Sequence, residues 1–335
     1  MQMRDIIVIG ASAGGVDALR RLCAELPADL PAPVFVAQHL SPSARSVLPQ
    51  LLDRVGPLHA LCPVDGQAIE PGYIYVSAPD LHMLLRPGRI IMRRGPYENR
   101  TRPAVNALFR SAAIHYGART IGIVLTGLLD DGTEGLIAIK AGGGLSIVQD
   151  PEDAEWPSMP RNALKRDHVD HAVRLDDLPG LLARLVREEA TPTIPLPEEY
   201  LIEDRIAAQE FAVAEPQIVT PGRPSHMSCP DCGGVLNHIE SDNEIRFRCQ
   251  VGHAFTPLGL AAAQSDELER ALAVAVRTHR DRIRLFDQMQ DSARKRGLDH
   301  AVRRWTEASR ESEHMIEVLE DAMTSLRKTS NEGEG

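Results

Sequence analysis

Short apolar runs alternate with amphipathic stretches from Arg4 to about residue 186. The runs DIIVIG, VFVAQH, TIGIVLTG and GLSIVQD each end at small or polar residues and predict strands. Between the first two runs, residues 16–26 (VDALRRLCAEL) space their apolar side chains three and four apart, which predicts a helix that the prolines of residues 30–33 end. The pattern predicts an α/β domain with a doubly wound, mainly parallel sheet and helices on both faces.

The pattern changes after residue 188. Residues 190–225 carry several prolines and many acids but only scattered apolar side chains. Such a composition favours an extended linker over a packed element. We therefore expect residues 1–189 to form a separate catalytic domain that folds without the remainder of the chain.

Two further regions follow the linker. Residues 226–262 form a small cysteine-rich module, and residues 263–328 have no proline and only Gly297 to interrupt them, which predicts an antiparallel helical hairpin. Residues 329–335 are predicted to be a disordered tail. The second helix has a heptad seam, formed by Val302, Trp305, Ser309, Ser312, Ile316, Leu319, Met323 and Leu326. The first helix has a less regular stripe, formed by Leu268, Leu272, Ala275, His279, Ile283, Phe286 and Met289. Because two helices bury little surface, the seam is predicted to need a partner: the cysteine-rich module, a second copy of the chain, or another helical protein.

Composition limits the classes of function. The 335 residues suggest roughly two domains. With 37 Lys and Arg against 47 Asp and Glu, the net charge of −10 disfavours nucleic-acid and anionic-membrane binding. No apolar run is long enough for export or membrane insertion, and the five cysteines, an odd number, do not suggest a disulfide framework. These features predict a cytoplasmic protein.

The first loop, VIGASAGG at residues 8–15, allows several interpretations. As a dinucleotide fingerprint it would place Gly10, Ser12 and Gly15 at the three glycine positions, with a serine where the pyrophosphate must approach closely. The same residues also form a small-residue turn that exposes a serine hydroxyl between strand and helix. A third interpretation makes Ser12 only a helix N-cap.

The next strand ends favour the nucleophile interpretation. The second strand ends in Gln38 and His39, without the acid that a dinucleotide fold needs there for the ribose. The strand at residues 120–125 leads to Asp130 and Asp131. A serine nucleophile needs a base and a carboxylate that orients the base, and side chains at three strand ends supply this set.

Six motifs occur in a fixed order in this region: GASAGG, VAQHL, PGYIYVSAPDLHMLL, RPAVNALFRSAA, VLTGLLDDGTEGL and GGLSIVQDPEDAEWPSMPRNAL. Together they resemble the catalytic domain of CheB-type chemotaxis protein-glutamate methylesterases over residues 4 to about 187. The resemblance implies that Ser12 is the nucleophile, His39 the base and Asp131 the third member, with Asp130 at a variable position.

The resemblance also implies the reaction and its partners. The substrates would be glutamate methyl esters on the cytoplasmic helices of chemoreceptors, with methanol released and receptor glutamines deamidated as a second activity. No cofactor is implied for catalysis. Ala13, Gly14 and Leu128 are predicted to contact the oxyanion or substrate.

The chain departs from the family pattern at several positions. Leu128 and Leu129 replace a Met-Gly pair, and Asn106 replaces an aspartate. The first strand begins within a few residues of Met1, so no phosphoacceptor domain is expected before it, and activity is expected not to depend on a phosphodonor. These departures keep a second hypothesis open, a catalytically weak regulatory or scaffold protein that binds partners through the esterase fold and C-terminal region. A nucleotide-dependent oxidoreductase is a distant third.

The cysteine-rich module predicts a structural zinc site. Cys229 and Cys232 form C-x2-C, and Cys249 and His253 form C-x3-H after a strand-like EIRFRC. Four such ligands close a tetrahedron and leave no position for water, so zinc removal is expected to spare Ser12 chemistry. His238 is disfavoured as a ligand because it lies inside the predicted hairpin. The module resembles a ribbon appended to some receiverless members of the same family.

Overall fold

The computed structural model describes residues 2–43, 46–166, 168–210, 221–241 and 244–332. The chain divides into two compact units, residues 1–260 and 261–335. No helix in the described ranges is both long and apolar enough to cross a membrane.

Seven parallel strands form the central sheet of the first unit, in the order β3-β4-β2-β1-β7-β8-β9. The four predicted strands, β2, β1, β7 and β8, lie next to one another in the middle of this sheet. A separate antiparallel pair, β5 and β6, follows β4 in the chain. The strands are β1 (Ile6–Ala11), β2 (Val34–Gln38), β3 (His59–Leu61), β4 (Tyr73–Val76), β5 (His82–Arg86), β6 (Arg89–Arg93), β7 (Thr120–Val124), β8 (Leu145–Gln149) and β9 (His171–Val173).

Helices cover both faces of this sheet, as predicted. Six surround it: α1 (Gly15–Ala24), α2 (Leu48–Val55), α3 (Val105–Tyr116), α4 (Thr133–Ala141), α5 (Ser158–Arg166) and α6 (Leu178–Leu185). In β1, Ile7 and Ile9 pack into a core with α1, α2 and α6, whereas Val8 packs into a second core with α3, α4 and α5. Burial on both faces explains why β1 is a continuous apolar run in the sequence.

The predicted linker differs from its expected extended form. Residues 198–208 form helix α7 (Glu198–Ala208), and Tyr200, Ile206 and Ala207 on it are buried. Few apolar residues suffice here because α7 packs against α3 and the β5–β6 pair, and it also buries charged side chains against partners. The expectation of an extended linker is therefore wrong for α7. Residues 211–220 lie outside the described residues.

A four-stranded antiparallel sheet follows, in the order β10-β11-β12-β13. Its strands are β10 (Arg223–Ser228), β11 (Val235–Ser241), β12 (Glu244–Cys249) and β13 (Ala254–Phe255). We call residues 223–255 the ribbon. It belongs to the same compact unit as the central sheet, contrary to the expected separation.

Two long helices, α8 (Pro257–Lys295) and α9 (Asp299–Glu332), form the predicted hairpin, with Gly297 in the left-handed region at φ 68°. Phe286 stacks on Trp305 with ring centroids 5.6 Å apart. Ser309 and Ser312 of the seam are buried, whereas Leu268 is exposed. Helix α9 continues through residues 329–332, which were predicted to be disordered, and residues 333–335 lie outside the described residues.

Candidate active site

Ser12, His39 and Asp131 meet at the carboxyl edge of the central sheet. Ser12 follows β1, His39 follows β2 and Asp131 lies between β7 and α4, and these three strands are neighbours. The Oγ of Ser12 is 3.2 Å from Nδ1 of His39, and Nε2 of His39 is 2.7 Å from Oδ2 of Asp131. The structure thus brings the three side chains into one hydrogen-bonded chain.

Hydrogen bonds to Asp131 set the tautomer of His39. A carboxylate only accepts hydrogen bonds, so Nε2 carries the proton that is donated to Asp131. The lone pair of Nδ1 then faces the Ser12 hydroxyl. In this tautomer the imidazole can accept the serine proton.

Asp131 is held as a carboxylate by four donors. Its Oδ2 accepts from His39 and from the N–H of Val105 at 2.7 Å, and its Oδ1 accepts from the N–H of Asn106 and from Nδ2 of Asn99, both at 3.1 Å. Burial alone would raise the pKa of Asp131, but the hydrogen bonds from His39, Val105 and Asn99 outweigh it and lower the pKa. Asp131 therefore stays ionised beside the imidazole.

The turn that carries Ser12 is held by residues that sequence reasoning missed. Nε2 of Gln38 donates to the Ser12 carbonyl at 2.8 Å, the Ser12 N–H donates to the Thr126 carbonyl at 3.0 Å, and Thr126 Oγ1 donates to the Ala13 carbonyl at 3.0 Å. The only sequence signal for these contacts is the position of Gln38 and Thr126 at strand ends. Gly127 lies close to the turn, since a Cβ there would be 2.8 Å from Ser12 Cβ.

The three residues predicted to contact the oxyanion or substrate lie around this turn. Ala13 and Gly14 connect Ser12 to α1, and Gly14 has φ 72° at the N-cap of that helix. Leu128 follows Gly127 and is 38% exposed. Their positions are compatible with the prediction, and their role stays a prediction.

Asn106 has a defined place although it departs from the family pattern. Its Oδ1 accepts from the N–H groups of Gly132 at 2.9 Å and Gly135 at 2.8 Å, at the start of α4. Its own N–H donates to Asp131. The asparagine therefore connects the α3 and α4 termini on either side of Asp131.

Leu129 occupies the position where the family pattern has glycine, and it adopts the left-handed φ of 61°. A Cβ in this region costs roughly 1–2 kcal/mol. We expect Leu129→Gly to be more stable than Leu129→Ala by about 1 kcal/mol, because both remove the leucine side chain but only glycine removes the Cβ. The measurement is urea unfolding of both variants. Equal midpoints and slopes would show that the turn carries no such strain.

A second cluster of side chains lies in the ribbon. One ligand atom from each of Cys229, Cys232, Cys249 and His253 lies within 4.8 Å of the others. The Sγ atoms of Cys232 and Cys249 are 3.7 Å apart, and Nδ1 of His253 is 3.6 Å from Cys229 and 3.5 Å from Cys249. A tetrahedron with metal–sulfur bonds of about 2.3 Å has sulfur–sulfur edges of about 3.8 Å. The donor set therefore fits a four-coordinate metal ion.

Other candidate ligands lie elsewhere. His238 is on β11 and its ring lies against Phe247, at a centroid distance of 5.6 Å. Cys23 is buried, and burial raises its pKa to about 12, whereas Cys62 is exposed. Neither cysteine belongs to the metal-compatible cluster.

The first part of the chain is similar to known proteins. The family model for CheB methylesterase matches residues 7–182. A relative from Leptospira interrogans is 33% identical over 182 residues, which are 54% of this chain and 94% of that protein. Protein-glutamate methylesterase/protein-glutamine glutaminase 5 of Anaeromyxobacter dehalogenans is 37% identical over 186 residues, 54% of this chain and 51% of that protein.

A solved structure shares the fold of the same region. The crystal structure of the CheB methylesterase catalytic domain of Thermotoga maritima matches with a TM-score of 0.52 and 32% identity, covering 54% of this chain and 98% of that chain. The family model covers more than half of the chain. By its sequence and its fold, this chain belongs to the CheB methylesterase family.

Proposed function

We propose that this protein hydrolyses glutamate methyl esters on the cytoplasmic helices of chemoreceptors and releases methanol. The observation that carries the proposal is the contact chain from Ser12 through His39 to Asp131 at three adjacent strand ends. The name of the Anaeromyxobacter relative, a protein-glutamate methylesterase, supports the same reaction. The direct test is methanol release from a receptor fragment that carries glutamate methyl esters. A folded protein that releases none would contradict the proposal.

The geometry supports a two-step acyl transfer. Oγ of Ser12 attacks the ester carbonyl carbon while Nδ1 of His39 takes the hydroxyl proton. The imidazolium, stabilised by Asp131, gives that proton to the departing methoxide, and methanol leaves. Water then attacks the acyl-enzyme with His39 as base, and the products are the glutamate carboxylate and free Ser12.

The oxyanion of each tetrahedral intermediate needs hydrogen-bond donors. We assign this role to the backbone N–H groups at Ala13, Gly14 and Leu128, since they surround the Ser12 turn. A backbone donor survives the change from methionine to leucine at position 128. The N-terminus of α1 adds a favourable field for negative charge at this point.

Deamidation of receptor glutamine follows from the same intermediate. An amide carbonyl attacked by Ser12 yields the identical acyl-enzyme, and His39 protonates the departing ammonia instead of methoxide. The name of the Anaeromyxobacter relative includes this second activity. No catalytic cofactor is required for either reaction.

The scaffold hypothesis has less support. It rests on the departures from the family pattern described above, whereas the hydrogen bonds that join Ser12, His39 and Asp131 favour catalysis. Binding of the hairpin to a helical partner or to itself, and a cytoplasmic location, stay proposals.

We further propose that Cys229, Cys232, Cys249 and His253 hold one structural zinc ion. We expect one zinc per chain in protein kept reduced, because three thiolates and an imidazole match the preference of zinc. Elemental analysis should find close to none in Cys249→Ser. The exposed Cys62 is outside the cluster, so Cys62→Ser is the matched control and should retain the metal. Wild-type protein without zinc would contradict the proposal.

A further inference from the structure

The ribbon is hydrogen-bonded to a loop beside the active site. The N–H of Ala254 donates to the Tyr97 carbonyl at 3.1 Å, and the N–H of Asn99 donates to the Ala254 carbonyl at 2.8 Å. The N–H of Thr256, just beyond β13, donates to Oδ1 of Asn99 at 2.9 Å. The last ribbon strand thus pairs with the backbone of residues 97–99 through a short parallel bridge.

Asn99 connects this pairing to the active site. Its Oδ1 accepts from Thr256, and its Nδ2 donates to Oδ1 of Asp131 at 3.1 Å. The partners fix the amide orientation, since an N–H and a carboxylate demand opposite ends of the amide. In parallel, Oγ1 of Thr256 donates to Oδ1 of Asp130 at 2.7 Å. Thr256 and Asn99 are both buried, so water does not replace these contacts easily.

The loop depends on these contacts for its shape. Asn99 and Arg100 both lie in the left-handed region, at φ 48° and 67°. Consecutive residues in this region cost of order 1 kcal/mol or more each and persist only where surrounding contacts fix them. The same loop places Thr101, whose Oγ1 is 3.4 Å from Nε2 of His39. Loss of the ribbon contacts would therefore release residues that touch two members of the active site.

A buried ion cluster fixes the ribbon in this position. Arg110 on α3 lies 2.6 Å from Glu98 and 3.5 Å from Glu203 on α7, and Arg248 on β12 lies 3.3 Å from Glu98 and 3.7 Å from Glu203. All four side chains are at most 4% exposed. Although burial alone would raise it, Arg110 and Arg248 hold the pKa of Glu98 at about 2. Breaking such a pair is costly, so the ribbon is firmly attached.

We propose that the ribbon positions the carboxylate of the active site: Thr256 holds Asn99, and Asn99 holds Asp131 in the orientation that receives the Nε2–H of His39. Asn99 and Thr256 are positioning residues, and this role rests on the proposed catalytic function of Asp131. Without Asn99, Oδ1 of Asp131 keeps only the Asn106 N–H among the donors identified. The esterase activity would then depend on the ribbon.

The proposal changes the expected effect of metal removal. His253 directly precedes β13 and lies three residues from Thr256. Unfolding of the cysteine and histidine cluster would withdraw the donors that hold Asn99. We therefore expect metal removal to slow the Ser12 chemistry.

The test uses variants of the full chain. Asn99→Gly removes the bridging amide and suits the left-handed φ. Thr256→Val removes the hydroxyl that donates to Asp130, but it keeps the backbone N–H that donates to Asn99. We expect kcat for methyl-ester hydrolysis to fall about 10- to 100-fold in Asn99→Gly, as a lost buried hydrogen bond and a displaced catalytic group do, and by at most a few-fold in Thr256→Val, which keeps the contact to Asn99. KM should stay within about twofold, since neither residue touches Ser12.

A matched control and a second measurement keep the outcomes distinct. Val235 is an exposed residue of β11 that takes no part in these contacts, and Val235→Ala should leave kcat unchanged. The hydrogen-bonded Nε2 proton of His39, observed by proton NMR without substrate, should be lost or exchange faster in Asn99→Gly. An unchanged kcat and an unchanged proton signal in folded Asn99→Gly would overturn the inference. If the wild type hydrolyses no ester, the proposed function fails, while the proton signal still decides whether Asn99 positions Asp131.

Discussion

Replacing Ser12 by alanine should abolish methyl-ester hydrolysis and leave the fold intact. The substitution removes only the attacking oxygen, and Ser12 is held through its backbone N–H and carbonyl, which alanine retains. Loss of a serine nucleophile costs about 10⁴- to 10⁶-fold in kcat in other hydrolases. The measurement is methanol release from a methylated receptor fragment, with the unfolding transition recorded on the same samples.

An exposed serine in the second compact unit supplies the control for this substitution. Ser265 is exposed on α8, where its hydroxyl donates only to the carbonyl one turn earlier. Ser265→Ala should keep wild-type activity. Methanol release that survives in Ser12→Ala would eliminate Ser12 as the nucleophile.

Asp131→Asn should slow the reaction almost as severely, by about 10⁴-fold. Each carboxylate oxygen of Asp131 accepts hydrogen bonds from two N–H donors. An amide nitrogen in place of one oxygen is itself a donor and cannot accept either hydrogen bond. The amide would also fail to select the Nε2–H tautomer of His39. The expected signature is a large fall in kcat with KM little changed.

Asp130→Asn is the matched control for Asp131→Asn. Asp130 accepts from Thr256 through Oδ1 and lies 3.4 Å from Arg166, and an asparagine keeps the acceptor for Thr256. We expect a loss of at most a few-fold. If Asp130→Asn were the more damaging of the two substitutions, the assignment of the catalytic carboxylate would be off by one residue.

Local sequence determined the elements that carry the site. Strands buried on both faces must be continuous apolar runs, so β1, β2, β7 and β8 were predictable, and so was the convergence of their carboxyl ends at one edge. The two cysteine knuckles were predictable because metal ligands need a short, fixed spacing. The hairpin followed from the three-and-four spacing of its seam. Each of these signals lies within a few residues of the chain.

Only the tertiary structure decided what surrounds Ser12, His39 and Asp131. Helix α7 was missed because its burial depends on Arg86 and Arg110, which lie some ninety or more residues earlier. The link from Thr256 through Asn99 to Asp131 joins three segments separated by 32 to 157 residues. Asparagine and threonine have no periodicity that marks such contacts in a sequence. The positions of the central strand ends could be predicted without knowledge of the packing. The orientation of the side chains around them could not, because tertiary packing fixes it.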